Sequence, residues 1–316
     1  MNQTHQKVPL AGIPEGYALL SNHKGKNIAI VFVHGFGGHP LKTWLYFQCM
    51  IQSLAVEYPW FRNSDLYFYG YTNFDKLPQA NATDCLKFIR RVFPSPSRNL
   101  FEFDTNSSPS PSVENRQALI EATYSLVPPS YEHLVLVGHS VGGVILRIGL
   151  WQEFKRAKTM TRHSKGQLYP DPKLDQRFLK REKMLGADLC LFAPAHIGTS
   201  KSSVLSIITD LIEGIPVVGK PLAALLESRV PVAPTLRGAN PILNDVRKWT
   251  EEYSEKHPDI HSLRARVLWG RERLLEAWEF KFDYPVEYVT NKGHVAVCKP
   301  SPSYTKPIDF LSYGHK

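Results

Sequence analysis

The chain has 316 residues, 43% of them hydrophobic and 21% charged, which excludes global disorder and allows a sizeable buried core. The formal net charge of +9 is accompanied by no RNP, zinc-finger or basic-helix motif, so nucleic acid is not expected as a partner and the excess reads as solvated surface. The four cysteines, Cys49, Cys85, Cys190 and Cys298, lie far apart without C-x-x-C spacing, which argues against a zinc site or a redox pair.

The first ten residues, MNQTHQKVPL, are polar without an apolar signal core, and no stretch has the length of a membrane span. The expected location is therefore cytoplasmic. Two glycosylation sequons, Asn81-Ala82-Thr83 and Asn106-Ser107-Ser108, would matter only in a secreted protein.

Residues 28–33, Ile-Ala-Ile-Val-Phe-Val, form a continuous apolar run that suits a parallel strand buried on both faces. His34-Gly35-Phe36-Gly37-Gly38 follows, a loop whose glycines let backbone N–H groups face a ligand. This loop is the candidate second half of an oxyanion hole, and His34 reads as its hydrogen-bonding organiser rather than a base. Neither G-x-G-x-x-G nor a P-loop motif is present, so a nucleotide site is not indicated. A helix is expected over 41–58, and the aromatic β-formers of 64–71 predict a second strand whose tyrosines serve packing. A helical segment near 82–92 leads to a Pro- and Ser-rich loop over 93–112, and a helix over 113–126 is stopped by Pro128-Pro129.

The next strand begins near His133 and breaks at Gly138-His139-Ser140-Val141-Gly142-Gly143 before an apolar helix. Strand, tight turn and helix around G-x-S-x-G make a nucleophile elbow, with Ser140 at the tip. The N–H of Val141 then points at any oxyanion formed when Ser140 attacks a carbonyl carbon, and the helix dipole favours that charge. Alternating strands and helices argue for a parallel sheet covered on both faces.

Residues 155–183 are strongly basic and read as a solvated excursion, with weak attraction to an anionic membrane surface as the sharper alternative. A strand over 187–193 holds Cys190 as a buried thiol. The apolar, proline-broken stretch 204–226 suggests helices of a cap over the site. A helix over 241–257 and strands over 263–269 and 286–290 complete the chain.

A serine becomes a nucleophile when an imidazole takes its proton, and the imidazole needs a carboxylate to hold its tautomer. His294, in the loop after the last strand, is the best base among twelve histidines, with His139 and His196 as near-site alternatives. Glu272, just beyond the strand ending at Trp269, is the candidate acid, and Glu276, Asp283 and Asp210 are the fallbacks.

HGFGG at 34–38, GHSVGG at 138–143 and GH at 293–294, in the order Ser, acid, His, resemble the α/β-hydrolase superfamily, particularly its lipase-like serine esterases. The resemblance covers about residues 27–300. It implies an acyl-enzyme mechanism with the main-chain N–H groups of Phe36 and Val141 as the oxyanion hole. The segment FAPAHIGTS resembles the family's T-P-H-x-G-[ST] stretch, with Pro194-Ala195 where Thr-Pro is usual, and so places His196 near the site.

The expected architecture is thus α/β, a mostly parallel central sheet with helices on both faces, in one domain over 1–316 with a helical cap insertion over 200–250. The expected activity is hydrolysis of carboxylic esters, with a hydrophobic or lipid acyl group, by Ser140, His294 and Glu272. Gly35, His139 and His196 would line the substrate site, and no metal or cofactor is required. The same triad would serve a thioesterase or an acyltransferase, and a noncatalytic hydrolase-fold binding module is the alternative from another class. The oligomeric state is left open.

Overall fold

The computed structural model describes residues 5–35, 37–54, 58–71, 77–103, 113–164, 183–195, 241–257, 260–270 and 280–312. Eight strands form one sheet: β1 (His5–Pro9), β2 (Tyr17–Ser21), β3 (Ile28–Val33), β4 (Ser64–Tyr69), β5 (His133–His139), β6 (Asp188–Phe192), β7 (Ala265–Trp269) and β8 (Glu287–Tyr288). Their spatial order is β1-β2-β4-β3-β5-β6-β7-β8. β2 runs antiparallel to both β1 and β4, and every other neighbouring pair is parallel. The sheet is therefore mostly parallel, and together with the elbow it is the α/β-hydrolase fold.

All six residues of β3 and of β4 are buried, as the continuous apolar and aromatic runs demand of strands covered on both faces. Side-chain alternation then decides which helix lies on which face. Phe32 and Phe68 share one face and stack at 4.8 Å. On that face α1 (Pro40–Leu54) contributes Trp44 and Phe47, whose rings lie 5.0 and 5.3 Å from Phe32. The terminal helix α7 (Lys306–Leu311) adds Phe310 against Phe192 at 5.2 Å. The opposite face carries Tyr67, which meets Phe88 of α3 (Pro78–Val92), and α3 packs in turn on α5 (Val141–Ser164). Burying each of these aromatic side chains contributes about 2–3 kcal/mol.

Three further helices are described: α2 (Pro59–Arg62), α4 (Val113–Ser125) and α6 (Pro241–Lys256). Trp249 and Tyr253 of α6 close on Phe154 of α5 at 5.1 and 4.8 Å. Residues 241–250 of the expected cap thus belong to a helix docked on α5, whereas its remainder, 200–240, lies outside the described residues. So does most of the basic stretch 155–183.

The residues before Asn27, for which no element was expected, supply β1 and β2 and with them the antiparallel edge. The last strand spans Glu287–Tyr288 rather than 286–290, pairing with Leu268 and Trp269 of β7. Among the described residues no helix is long and apolar enough to cross a membrane. Asn81 of the first sequon is buried in α3. The four cysteines form no disulfide, and Cys190 is a buried thiol that burial pushes up to about 12.

Candidate active site

The chain leaves β3 toward β4 on one side and leaves β5 toward β6 on the other, so the carboxyl ends of β3 and β5 border a topological switch point, where open α/β sheets bind ligands. The loop at residues 34–38 and the elbow at Ser140 occupy those two ends. Ser140 has φ of +52°, a left-handed conformation that few side chains adopt, and it is wedged between the last residue of β5 and the first of α5. Three main-chain hydrogen bonds hold it there. Its N–H donates to Phe192 O at 3.0 Å, and its carbonyl accepts from Gly143 and Ala195, each at 3.1 Å.

Close approach explains two of the glycines. A Cβ on Gly35 would sit 2.8 Å from Ser140 Cβ and 2.9 Å from His139 Nδ1. A Cβ on Gly142 would run into the carbonyl oxygens of Val33 and His34. Both positions therefore need hydrogen in place of a side chain for the loop and the elbow to touch. Gly35 serves this packing, and the loop brings its main chain against the serine. Phe36, expected to give the first oxyanion N–H, lies outside the described residues. Val141 opens α5, so its N–H has no intrahelical acceptor.

His34 is an organiser of its loop, as expected. Its Nδ1–H donates to Gly35 O at 2.9 Å, its ring stacks on Tyr71 at 4.3 Å, and the Tyr71 hydroxyl donates to His34 O at 2.9 Å. Burial lowers its pKa to about 4.

His294 is brought to the elbow from 154 positions later in the chain. Gly270, at the carboxyl end of β7, abuts Lys292 and Gly293, which seats the His294 loop on the same sheet edge as Ser140. His139 Nε2 lies 3.0 Å from His294 O, and the two rings are 5.0 Å apart at 51°. His294 is 3% exposed, and among the described residues neither ring nitrogen has a hydrogen-bond partner. Burial lowers its pKa to about 3, with the neighbouring His139 adding to the effect. His139 is likewise lowered to about 4 by burial.

The acid is more sharply bounded than in the sequence. Glu272, Glu276 and Asp210 lie outside the described residues, as does His196. Asp283 sits at the opposite edge of the sheet. Its Oδ1 accepts from the N–H of Ala265, the first residue of β7, and its Oδ2 is ion-paired with Arg147. That end of β7 is about 17 Å from Gly270 at strand rise, so Asp283 does not reach His294. Residues 193–195 of the FAPAHIGTS string pack against the elbow. Ala193 has φ of +40° and donates its N–H to Leu268 O at 2.9 Å, while Ala195 braces Ser140. Among the described residues no group of three His, Cys, Asp or Glu side chains could hold a metal ion.

No family model and no curated protein matches the sequence. Among solved structures the chain is similar to phospholipase PlaB from Legionella pneumophila, at 13% identity and a TM-score of 0.40 over 78% of this chain and 38% of that one. The chain thus matches well under half of PlaB. It is also similar to an esterase from Pyrococcus furiosus, at 11% identity and a TM-score of 0.44 over 98% of this chain and 91% of that one. Carboxyl esterase 2 from the mycorrhizal fungus Tuber melanosporum is similar at 14% identity and a TM-score of 0.45, over 99% of this chain and 86% of that one.

Proposed function

We propose that the protein is a serine hydrolase that cleaves carboxylic esters carrying a hydrophobic or lipid acyl group, through an acyl-enzyme on Ser140. The observation that carries this reading is the left-handed Ser140 at the switch point with His294 hooked onto the same turn. A serine forced to φ of +52° costs about 1–3 kcal/mol, and such strain persists where the surroundings over-determine it, commonly at a reacting centre.

In this mechanism Ser140 Oγ attacks the acyl carbon while one ring nitrogen of His294 takes the hydroxyl proton. The N–H groups of Val141 and Phe36 bind the oxyanion of the tetrahedral intermediate. Collapse breaks the ester C–O bond, His294 returns the proton to the leaving alkoxide, and water then repeats the sequence to release the acid. The lowered pKa of His294 keeps it neutral and ready to accept a proton. The same burial disfavours the imidazolium that follows, which is why a carboxylate is needed at its other nitrogen. Glu272 is assigned that role, and the apolar stretch 204–226 supplies the preference for hydrophobic acyl groups.

The test is labelling with a fluorophosphonate probe, followed by turnover of p-nitrophenyl esters of increasing chain length. Wild type labels and Ser140→Ala does not; Glu272→Gln slows labelling by about 100-fold or more. Labelling that survives Ser140→Ala overturns the assignment of the nucleophile, and full-rate labelling of Glu272→Gln overturns that of the acid.

A further inference from the structure

We infer that His139 is a positioning residue: its ring pins the His294 main chain to the nucleophile turn and packs against the His294 ring, in place of the substrate contact expected from its position in the elbow. The inference rests on the reading of Ser140 and His294 as nucleophile and base, and concerns how one is held against the other.

His139 is the last residue of β5 and directly precedes Ser140, so its backbone moves with the nucleophile. Its register partner in β6 is Phe192, whose carbonyl also receives the Ser140 N–H. From this fixed base Nε2 reaches His294 O at 3.0 Å. A carbonyl oxygen only accepts, so Nε2 carries the proton and Nδ1 carries the lone pair. Nδ1 faces Gly35, so closely that a single added carbon there would lie 2.9 Å from it. One ring nitrogen is therefore engaged and the other is covered by the loop after β3. Both ring nitrogens are thus turned toward protein rather than toward a substrate.

The base needs such a hold. β8 is two residues long, so the His294 loop gains little from the sheet ladder beyond the Val289 N–H to Trp269 O bond of 2.8 Å. The turn at residues 293–297 is held mostly by its own bonds, Ala296 and Val297 each donating to Gly293 O at 3.0 Å. The bond from His139 ties this local turn to the elbow, and the ring contact at 5.0 Å limits how the His294 imidazole can swing. Nucleophile and base are thus linked through one side chain, and misplacement by an ångström costs on the order of 100-fold in rate.

The experiment has two arms. In the uniformly 15N-labelled wild type at pH 7, the long-range 1H–15N spectrum of the histidine rings, assigned with His139→Gln, shows His139 protonated at Nε2. Protonation at Nδ1 overturns the proposal. In the second arm, fluorophosphonate labelling and p-nitrophenyl butyrate turnover are measured for wild type, His139→Leu and His139→Gln. Leucine fills the space without a donor, and glutamine places an amide N–H near the position of Nε2. The expected result is a fall of about 100-fold in kcat and labelling rate for His139→Leu with KM little changed, and recovery to within about 10-fold of wild type in His139→Gln. Equal rates for the two variants, or a loss confined to KM, overturn the positioning role. If His139→Leu does not fold, the wild-type tautomer and His139→Gln decide, and a loss beyond about 100-fold in the latter overturns it. Wild type that neither labels nor turns over defeats the esterase reading alone, because the tautomer still reports on the bond between the two histidines.

Discussion

Ser140 illustrates what a left-handed residue asks of the fold around it. Its left-handed φ is held by three main-chain bonds and by the absence of a side chain at Gly35. Glycine accepts that backbone without strain, whereas alanine retains the Cβ that opposes it. Ser140→Gly and Ser140→Ala are both expected to be inactive, with Ser140→Gly more stable than Ser140→Ala by about 1 kcal/mol in urea unfolding. Equal stabilities would show that the turn is unstrained. Ser140 and His294 stood out in the sequence as candidates because each is announced by its neighbours: glycines two before and two after Ser140, and Gly293 beside His294. The acid had no such announcement. Asp283 was a fallback to Glu272, and its bonds to Arg147 and Ala265 show that it belongs to the far edge.

At the scale of elements, the far edge has its own polar centre. Asp65 of β4 is completely buried and accepts the Ser21 N–H at 2.7 Å, the Lys26 ammonium at 2.8 Å and the Tyr131 hydroxyl. Tyr131 in turn meets Tyr67 OH at 2.6 Å. One carboxylate thereby ties β2, β4 and the approaches to β3 and β5 together. Burial raises the Asp65 pKa and lowers that of Lys26, while each charge opposes the shift in the other. Removing only one partner leaves the other charge buried and uncompensated. Asp65→Ala is therefore expected to lose about 3–5 kcal/mol of stability, measured by urea unfolding. A loss below about 1 kcal/mol would mean that water replaces the carboxylate freely. None of this centre was visible in the aromatic string of β4, which shows a strand but not which residue across the sheet will face its one acid. The N-terminal hairpin was hidden for a related reason: β1 buries His5 and Val8 and exposes Gln6, Lys7 and Pro9, without strict alternation, so pairing with β2 defines it more than its own sequence does.

For the whole molecule, burial of neutral histidines sets the acid limit. Burial lowers His5, His34 and His139 to about 4 and His294 to about 3, from an ordinary value of 6.5. The unfolded chain takes up these protons near pH 6.5 while the folded chain does not, so the stability they permit is intact above 6.5 and declines as pH falls toward 4. Asp65, raised by burial, works in the opposite direction, one group against four. The expected outcome is a urea midpoint that falls steadily from pH 7 to pH 5, each histidine contributing at most about 1.4 kcal/mol per pH unit. A flat profile over that range would show that the rings are protonated in the folded protein. The sequence by itself determined the parallel strands and the elbow at Ser140, because burial on two faces and a glycine-flanked turn are local requirements written in consecutive residues. Only the tertiary structure decided which histidine grips which, that Asp283 lies at the far edge, and that the N-terminal residues form the antiparallel edge of the sheet. Those outcomes depend on residues tens to hundreds of positions apart, whose meeting is set by strand order and register and by no spacing along the chain.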